Sequence, residues 1–88
     1  MKLIVAICRD DEASRLSDAL VAGDFRVTRI ASTGGFLKRG NTTLLVGVEA
    51  GEVERAIETL RATLGPAPEQ GKRRATLFVL EASGYEQV

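Results

Sequence analysis

The stretch that decides the fold is residues 3–8, Leu3-Ile4-Val5-Ala6-Ile7-Cys8, which Arg9-Asp10-Asp11-Glu12 follows directly. A short, unbroken apolar run is typical of a strand buried in the middle of a sheet. Acidic residues are favoured in the first turn of a helix, because they interact well with the helix dipole. We therefore expect a central strand that leads into a helix, and Gly23 is the residue type that ends helices.

The chain downstream of this first strand and helix continues with a second strand. Phe25 and Val27 alternate with Arg26 and Thr28, so that the two pairs lie on opposite faces of a strand. Arg29-Ile30 breaks this alternation, and we expect a bulge or the end of the strand there. Residues 32–41 contain three glycines and are predicted to form a loop.

The second half of the chain has the same kinds of elements. Residues 42–48 have the branched and apolar content of a strand. Val53, Ile57, Leu60 and Leu64 have the spacing of an amphipathic helix, and residues 75–80 form a last strand. The order strand-helix-strand-strand-helix-strand predicts one α+β domain over residues 1–88, a ferredoxin-like βαββαβ sandwich.

The size of the chain makes self-association the natural source of additional stability. A domain of 88 residues buries a modest fraction of its surface on folding. A single cysteine excludes an internal disulfide, and one cysteine without histidine does not make an ordinary zinc site. One face of the predicted sheet carries both helices, so we expect the other face to be covered by assembly.

The composition also limits the function. Twelve basic and twelve acidic residues balance, which argues against a surface for nucleic acid or for an anionic membrane. The first apolar run is too short for a signal peptide or a membrane span, so we expect a cytoplasmic protein. With no histidine, no nucleophile elbow and no P-loop, we expect neither catalytic residues nor a metal or cofactor.

The most unusual segment is residues 33–43, Thr-Gly-Gly-Phe-Leu-Lys-Arg-Gly-Asn-Thr-Thr. Paired glycines let backbone N–H groups converge on an anion, and Phe36 beside them is suited to stack on a nucleobase. Asn41 can both donate to and accept from an adenine edge. The alternative is a tight turn whose Phe36 and Leu37 pack inward or against another subunit. Arg26 and Thr28 could hold a phosphate, or they could lie on a solvated edge strand.

This segment resembles the cyclic-di-AMP receptors, a family of PII-like signal-transduction proteins. The resemblance extends without a gap from Met1 to about Val48 and resumes at residues 75–80. It includes Phe25-Arg26 with Thr28, the string from Thr33 to Thr43, and Gly47. It implies a ferredoxin-like subunit, a homotrimer with three nucleotide sites in grooves between neighbours, and a downstream protein partner.

The resemblance also implies which residues bind the ligand, taken to be cyclic di-AMP. The matching positions are Arg26, Thr28, Gly35, Phe36, Leu37, Asn41 and Gly47, with Gln87 at the carboxy-terminal end.

The chain departs from the family pattern in two places. Only residues 65–74 separate the second helix from the last strand, where relatives have a long loop. Arg73-Arg74 stands where relatives tend to have two glycines. Two other readings therefore stay open, a trimeric interaction module that has lost its ligand and a receptor for a different nucleotide.

Overall fold

The computed structural model describes residues 1–31, 40–65 and 75–83. It contains four strands and two helices in the predicted order, and a single-turn 3-10 helix, Ala50–Glu52, comes before the second helix. The elements are β1 (Lys2–Arg9), α1 (Asp10–Ala22), β2 (Arg26–Ala31), β3 (Asn41–Val48), α2 (Val53–Leu64) and β4 (Ala75–Glu81).

The four strands form one antiparallel sheet in the order β2-β3-β1-β4. β1 and β2, joined through α1, lie on either side of β3, and β3 and β4, joined through α2, lie on either side of β1. These are the two interleaved βαβ halves that the sequence predicts. The α+β class is confirmed, and the architecture is consistent with a ferredoxin-like fold.

The predicted interruption of β2 at Arg29-Ile30 is wrong. The pairing with β3 keeps one register from Arg26 opposite Gly47 to Ala31 opposite Thr42. Arg29 faces the helices, and its guanidinium donates to the hydroxyl of Ser14 on α1 at 3.0 Å. The side chain thus has a polar partner on this face, and the strand continues past it. A charged side chain is tolerated on this face because β2 lies at the edge of the sheet, where solvent remains within reach.

The core lies between the sheet and the two helices. Its fully buried large side chains include Ile4 of β1, Leu44 and Val46 of β3, Leu16 and Leu20 of α1 and Leu60 of α2. Val21, in the last turn of α1, lies outside this core and is 58% exposed.

Cys8 belongs to this core, as the sequence predicts. It is 2% exposed, and burial raises the pKa of its thiol. The protonated thiol therefore packs as a small apolar group.

The opposite face of the sheet is named here the open face. Cross-strand partners lie on the same side of a sheet. The register therefore assigns to it Leu3, Val5, Ile7, Arg9, Arg26, Thr28, Ile30, Asn41, Thr43, Leu45, Gly47, Thr76, Phe78 and Leu80. Neither helix packs on this side, and Ile30, Phe78 and Leu80 are 44%, 50% and 50% exposed. No helix within residues 1–31, 40–65 and 75–83 is long and apolar enough to span a membrane.

Candidate functional site

A surface cavity of about 900 Å³ lies at one end of the open face, where β1 begins and β3 ends. Residues of the three neighbouring strands β1, β2 and β3 line it, together with the end of α1, the turn before β2 and the residues Met1 and Ala82 beside the sheet. The lining residues are Met1, Leu3, Val21, Phe25, Arg26, Val27, Thr28, Leu45, Gly47 and Ala82. The cavity thus combines an apolar lining with a cation and a hydroxyl.

Arg26 and Thr28 reach this cavity because residues two apart on a strand share a face. Their partners on β3 are Gly47 and Leu45, which line the cavity as well. Both side chains are exposed, and within the described part of the chain Arg26 has no hydrogen-bond or ion-pair partner. An unpaired guanidinium and a hydroxyl side by side can bind a phosphate with charge-assisted hydrogen bonds.

Gly47 keeps the cavity open. Its cross-strand partners are Leu3 on one side and Arg26 on the other. A Cβ atom built on Gly47 would meet no atom of the described residues within 4 Å. Packing among residues 1–31, 40–65 and 75–83 therefore does not require a glycine here, although glycine weakens the interior of a strand. The space left by the missing side chain is part of the cavity.

The turn that leads into β2 is braced by Arg55 of α2. Its guanidinium lies 4.3 Å from the centre of the Phe25 ring, and its Nη1 donates to the Gly23 carbonyl at 2.9 Å. Between Gly23 and Phe25, Asp24 has a left-handed φ of 69°, a conformation that costs energy in residues other than glycine. Arg55 therefore holds in place the turn that positions Arg26.

Arg55 also forms an ion pair with Glu52, three residues earlier in the chain. Its Nε donates to Glu52 at 2.6 Å, and this hydrogen bond holds the pKa of Glu52 below its usual value and raises the pKa of Arg55. A smaller cavity of about 200 Å³, lined partly by Asp24, Glu49 and Glu52, adjoins this pair. Among the residues that the structure describes, no three carboxylate or thiol groups lie close enough together to hold a metal ion.

Replacing Arg55 by methionine is expected to lower Tm by a few degrees, because the variant keeps the aliphatic contact but loses the cation over Phe25 and the bond to Gly23. Arg61→Met is the matched control, since the Arg61 side chain on the same helix has a single partner among the described residues, a 3.6 Å ion pair with Glu58. Differential scanning calorimetry of both variants measures the effect. Equal Tm values for the two variants would show that Arg55 does not brace the turn.

Asn41 lies far from this cavity within one chain. It is the first residue of β3, opposite Arg9, whereas Gly47 lies six positions further along the strand. At ~3.4 Å per residue the two positions are about 20 Å apart. Of the residues that the sequence singles out, the structure thus brings together Arg26, Thr28 and Gly47 and leaves Asn41 apart.

The remaining candidate residues, Gly35, Phe36, Leu37 and Gln87, lie outside the described residues, as do Arg73 and Arg74. By contrast, Leu3, Leu45 and Phe25 line the cavity although sequence reasoning did not assign them to the site. Strand pairing could have identified Leu3 and Leu45, because each lies directly opposite a residue that the sequence singles out. Leu3 pairs with Gly47, and Leu45 pairs with Thr28.

Two comparisons with known proteins bear on the fold and the family of the chain. The chain is similar to a solved structure described as the crystal structure of a functionally unknown protein from Pediococcus pentosaceus ATCC 25745. The two share 33% sequence identity with a TM-score of 0.76, over 99% of this chain and 96% of the other. The sequence model of a family described as cyclic-di-AMP receptor matches residues 1–67. This match covers more than half of the chain, and the protein therefore belongs to the cyclic-di-AMP receptor family.

Proposed function

We propose that this protein is a non-catalytic, PII-like receptor that binds cyclic di-AMP. Membership of the receptor family supports a nucleotide messenger as ligand. The single observation that carries the proposal further is the cavity at the end of the open face. There Arg26, which has no partner among the described residues, and the Thr28 hydroxyl lie beside the space at Gly47.

The chemistry of the cavity suits a cyclic dinucleotide. Such a ligand has two phosphodiester anions and two flat bases. Arg26 and Thr28 would bind one phosphodiester, while Leu3, Leu45 and Phe25 offer apolar surface to a base. Gly35, Phe36, Leu37 and Gln87 remain proposed contacts on the basis of the family resemblance.

We place the complete site between subunits of a homotrimer. The distance of about 20 Å between Asn41 and Gly47 along one strand supports this arrangement, because a neighbouring subunit can supply its own Asn41 to the cavity. The apolar open face supports it as well, since exposed apolar area of this kind marks an interaction surface.

The proposed response is a rearrangement of residues 32–41 and 65–74, which a downstream protein in the cytoplasm would detect. Ligand can shift such an equilibrium only by its differential affinity for the two states.

The test is titration calorimetry with cyclic di-AMP, ATP and cyclic di-GMP on the wild type, Arg26→Ala and Arg61→Ala. We expect selective binding of cyclic di-AMP at one ligand per subunit. Arg26→Ala should weaken it at least tenfold, because a hydrogen bond to a charged group contributes about 1.5–3 kcal/mol. The salt dependence of binding should fall as well. Arg61→Ala removes an exposed cation from α2 and should leave the affinity unchanged.

Other results would select one of the open alternatives. Stronger binding of ATP or cyclic di-GMP would make the protein a receptor for a different nucleotide. Absence of heat and of any thermal shift with all three ligands would favour a trimeric interaction module without a ligand.

A further inference from the structure

We propose that Asp10 is a positioning residue that fixes Asn41 on the open face, an inference that rests on the proposed function. Asp10 is the first residue of α1, and it belongs to neither of the cavities described above. It contacts the chain on both sides of Asn41, at the start of β3.

Two hydrogen bonds from Asp10 bracket Asn41. The Asp10 backbone N–H donates to the Gly40 carbonyl at 2.8 Å, and an Asp10 carboxylate oxygen accepts from the Thr42 hydroxyl. Asn41 is the residue between these two partners. Its peptide neighbours are thus both tied to the amino-terminal end of α1.

These bonds reinforce the orientation that the pairing with Arg9 gives to Asn41. Thr42 is 1% exposed and faces the helices, and its carbonyl lies 3.6 Å from the Cys8 sulfur. Successive side chains on a strand point to opposite faces, so a Thr42 fixed on the helix side holds Asn41 on the open side. Gly40 reaches this position with a φ of 89°, which only glycine adopts readily.

The amino terminus of α1 does not need Asp10 as a cap. The helix has no side-chain hydrogen bond at its cap residue, and Asp11 and Glu12 also place negative charge in the first turn. The carboxylate of Asp10 instead connects two elements through Thr42. The sequence explains Asp10 as part of a helix start, and the structure adds a second role.

The experiment is a double-mutant cycle between Asp10→Ala and Asn41→Ala, with affinity for cyclic di-AMP measured by calorimetry. We expect Asp10→Ala to weaken binding about tenfold, and to have little further effect once Asn41→Ala has removed the contact. Asp10→Asn keeps an acceptor for the Thr42 hydroxyl and should recover most of the affinity. Asp11→Ala is the matched control, because Asp11 pairs with the exposed Arg9 and with no other side chain of the described residues.

A second pair of variants protects the test against misfolding of Asp10→Ala. Thr42→Val removes the hydroxyl donor but keeps a branched side chain suited to a buried strand, whereas Thr42→Ser keeps the donor. We expect Thr42→Val to reproduce the loss of affinity and Thr42→Ser not to. If Asp10→Ala lowered the affinity for cyclic di-AMP equally in the wild type and in the Asn41→Ala variant, the positioning role would be overturned.

A ligand-free measurement separates this inference from the proposed function. The NMR order parameter of the Asn41 backbone amide should fall in Asp10→Ala and stay unchanged at Val46, further along the same strand. Absence of cyclic-di-AMP binding by the wild type would overturn the proposed function, and with it the role of Asn41 as a ligand contact. An unchanged order parameter at Asn41 would overturn the positioning role whatever the wild type binds.

Discussion

Gly47→Val is expected to weaken cyclic-di-AMP binding by roughly ten- to a hundredfold while leaving Tm unchanged or higher. The new side chain would enter the cavity between Leu3 and Arg26, where no atom of the described residues lies within 4 Å of its Cβ position. Forcing extra carbon atoms into occupied space costs about 1–3 kcal/mol, which gives the expected loss of affinity. Folding should not suffer, because valine is favoured in a strand and glycine is not.

The measurement combines calorimetric titration with thermal unfolding and a determination of molecular mass for the same preparation. Gly51→Val is the matched control, since Gly51 is an exposed glycine of the 3-10 helix with equally open space around its Cβ position. It should leave the affinity unchanged. Full binding by Gly47→Val with unaltered Tm would place the ligand elsewhere.

The sequence predicts the fold well because each element carries its own signal. The apolar run from Leu3 to Cys8 predicts the central strand β1, and the spacing from Val53 to Leu64 predicts α2. The error at Arg29 has a physical cause. Periodicity shows which residues lie on one face, but not whether the edge of a sheet leaves that face near solvent.

The candidate site is only partly predictable from the sequence. Alternation on β2 places Arg26 and Thr28 on one face, and the cavity contains both. The brace from Arg55 to Phe25 joins residues 30 positions apart, so no local pattern could predict it. The separation of Asn41 from Gly47 follows from strand length alone. Only the position of the cavity shows that this separation leaves Asn41 outside the cavity of its own chain.

Phe78→Asp is expected to convert the proposed trimer into monomers. Phe78 is 50% exposed in the single chain and pairs with Val5 on the open face, next to Leu80 opposite Leu3. If this face is buried between subunits, a carboxylate there loses its hydration without gaining a partner, which costs several kcal/mol in each subunit. Analytical ultracentrifugation should give three times the 9.4 kDa chain mass for the wild type and the single chain mass for the variant.

Val79→Asp provides a closely matched control for this variant. Val79 is the next residue of β4 and is 44% exposed, but it pairs with Ile4 and therefore faces the helix side of the sheet. It should keep the trimer. Dissociation by Val79→Asp and not by Phe78→Asp would place the contact between subunits on the other side of β4, and a monomeric wild type would exclude assembly through the open face.

The monomeric Phe78→Asp variant also tests whether the binding site is shared. Phe78 does not line the cavity, so a site complete within one chain would keep its affinity for cyclic di-AMP. A site that needs the Asn41 of a neighbour would lose affinity as the assembly dissociates, and the loss would lessen at protein concentrations high enough to restore the trimer. Affinity that depends on protein concentration in this variant, but not in Val79→Asp, would therefore support both the trimer and the position of its ligand between subunits.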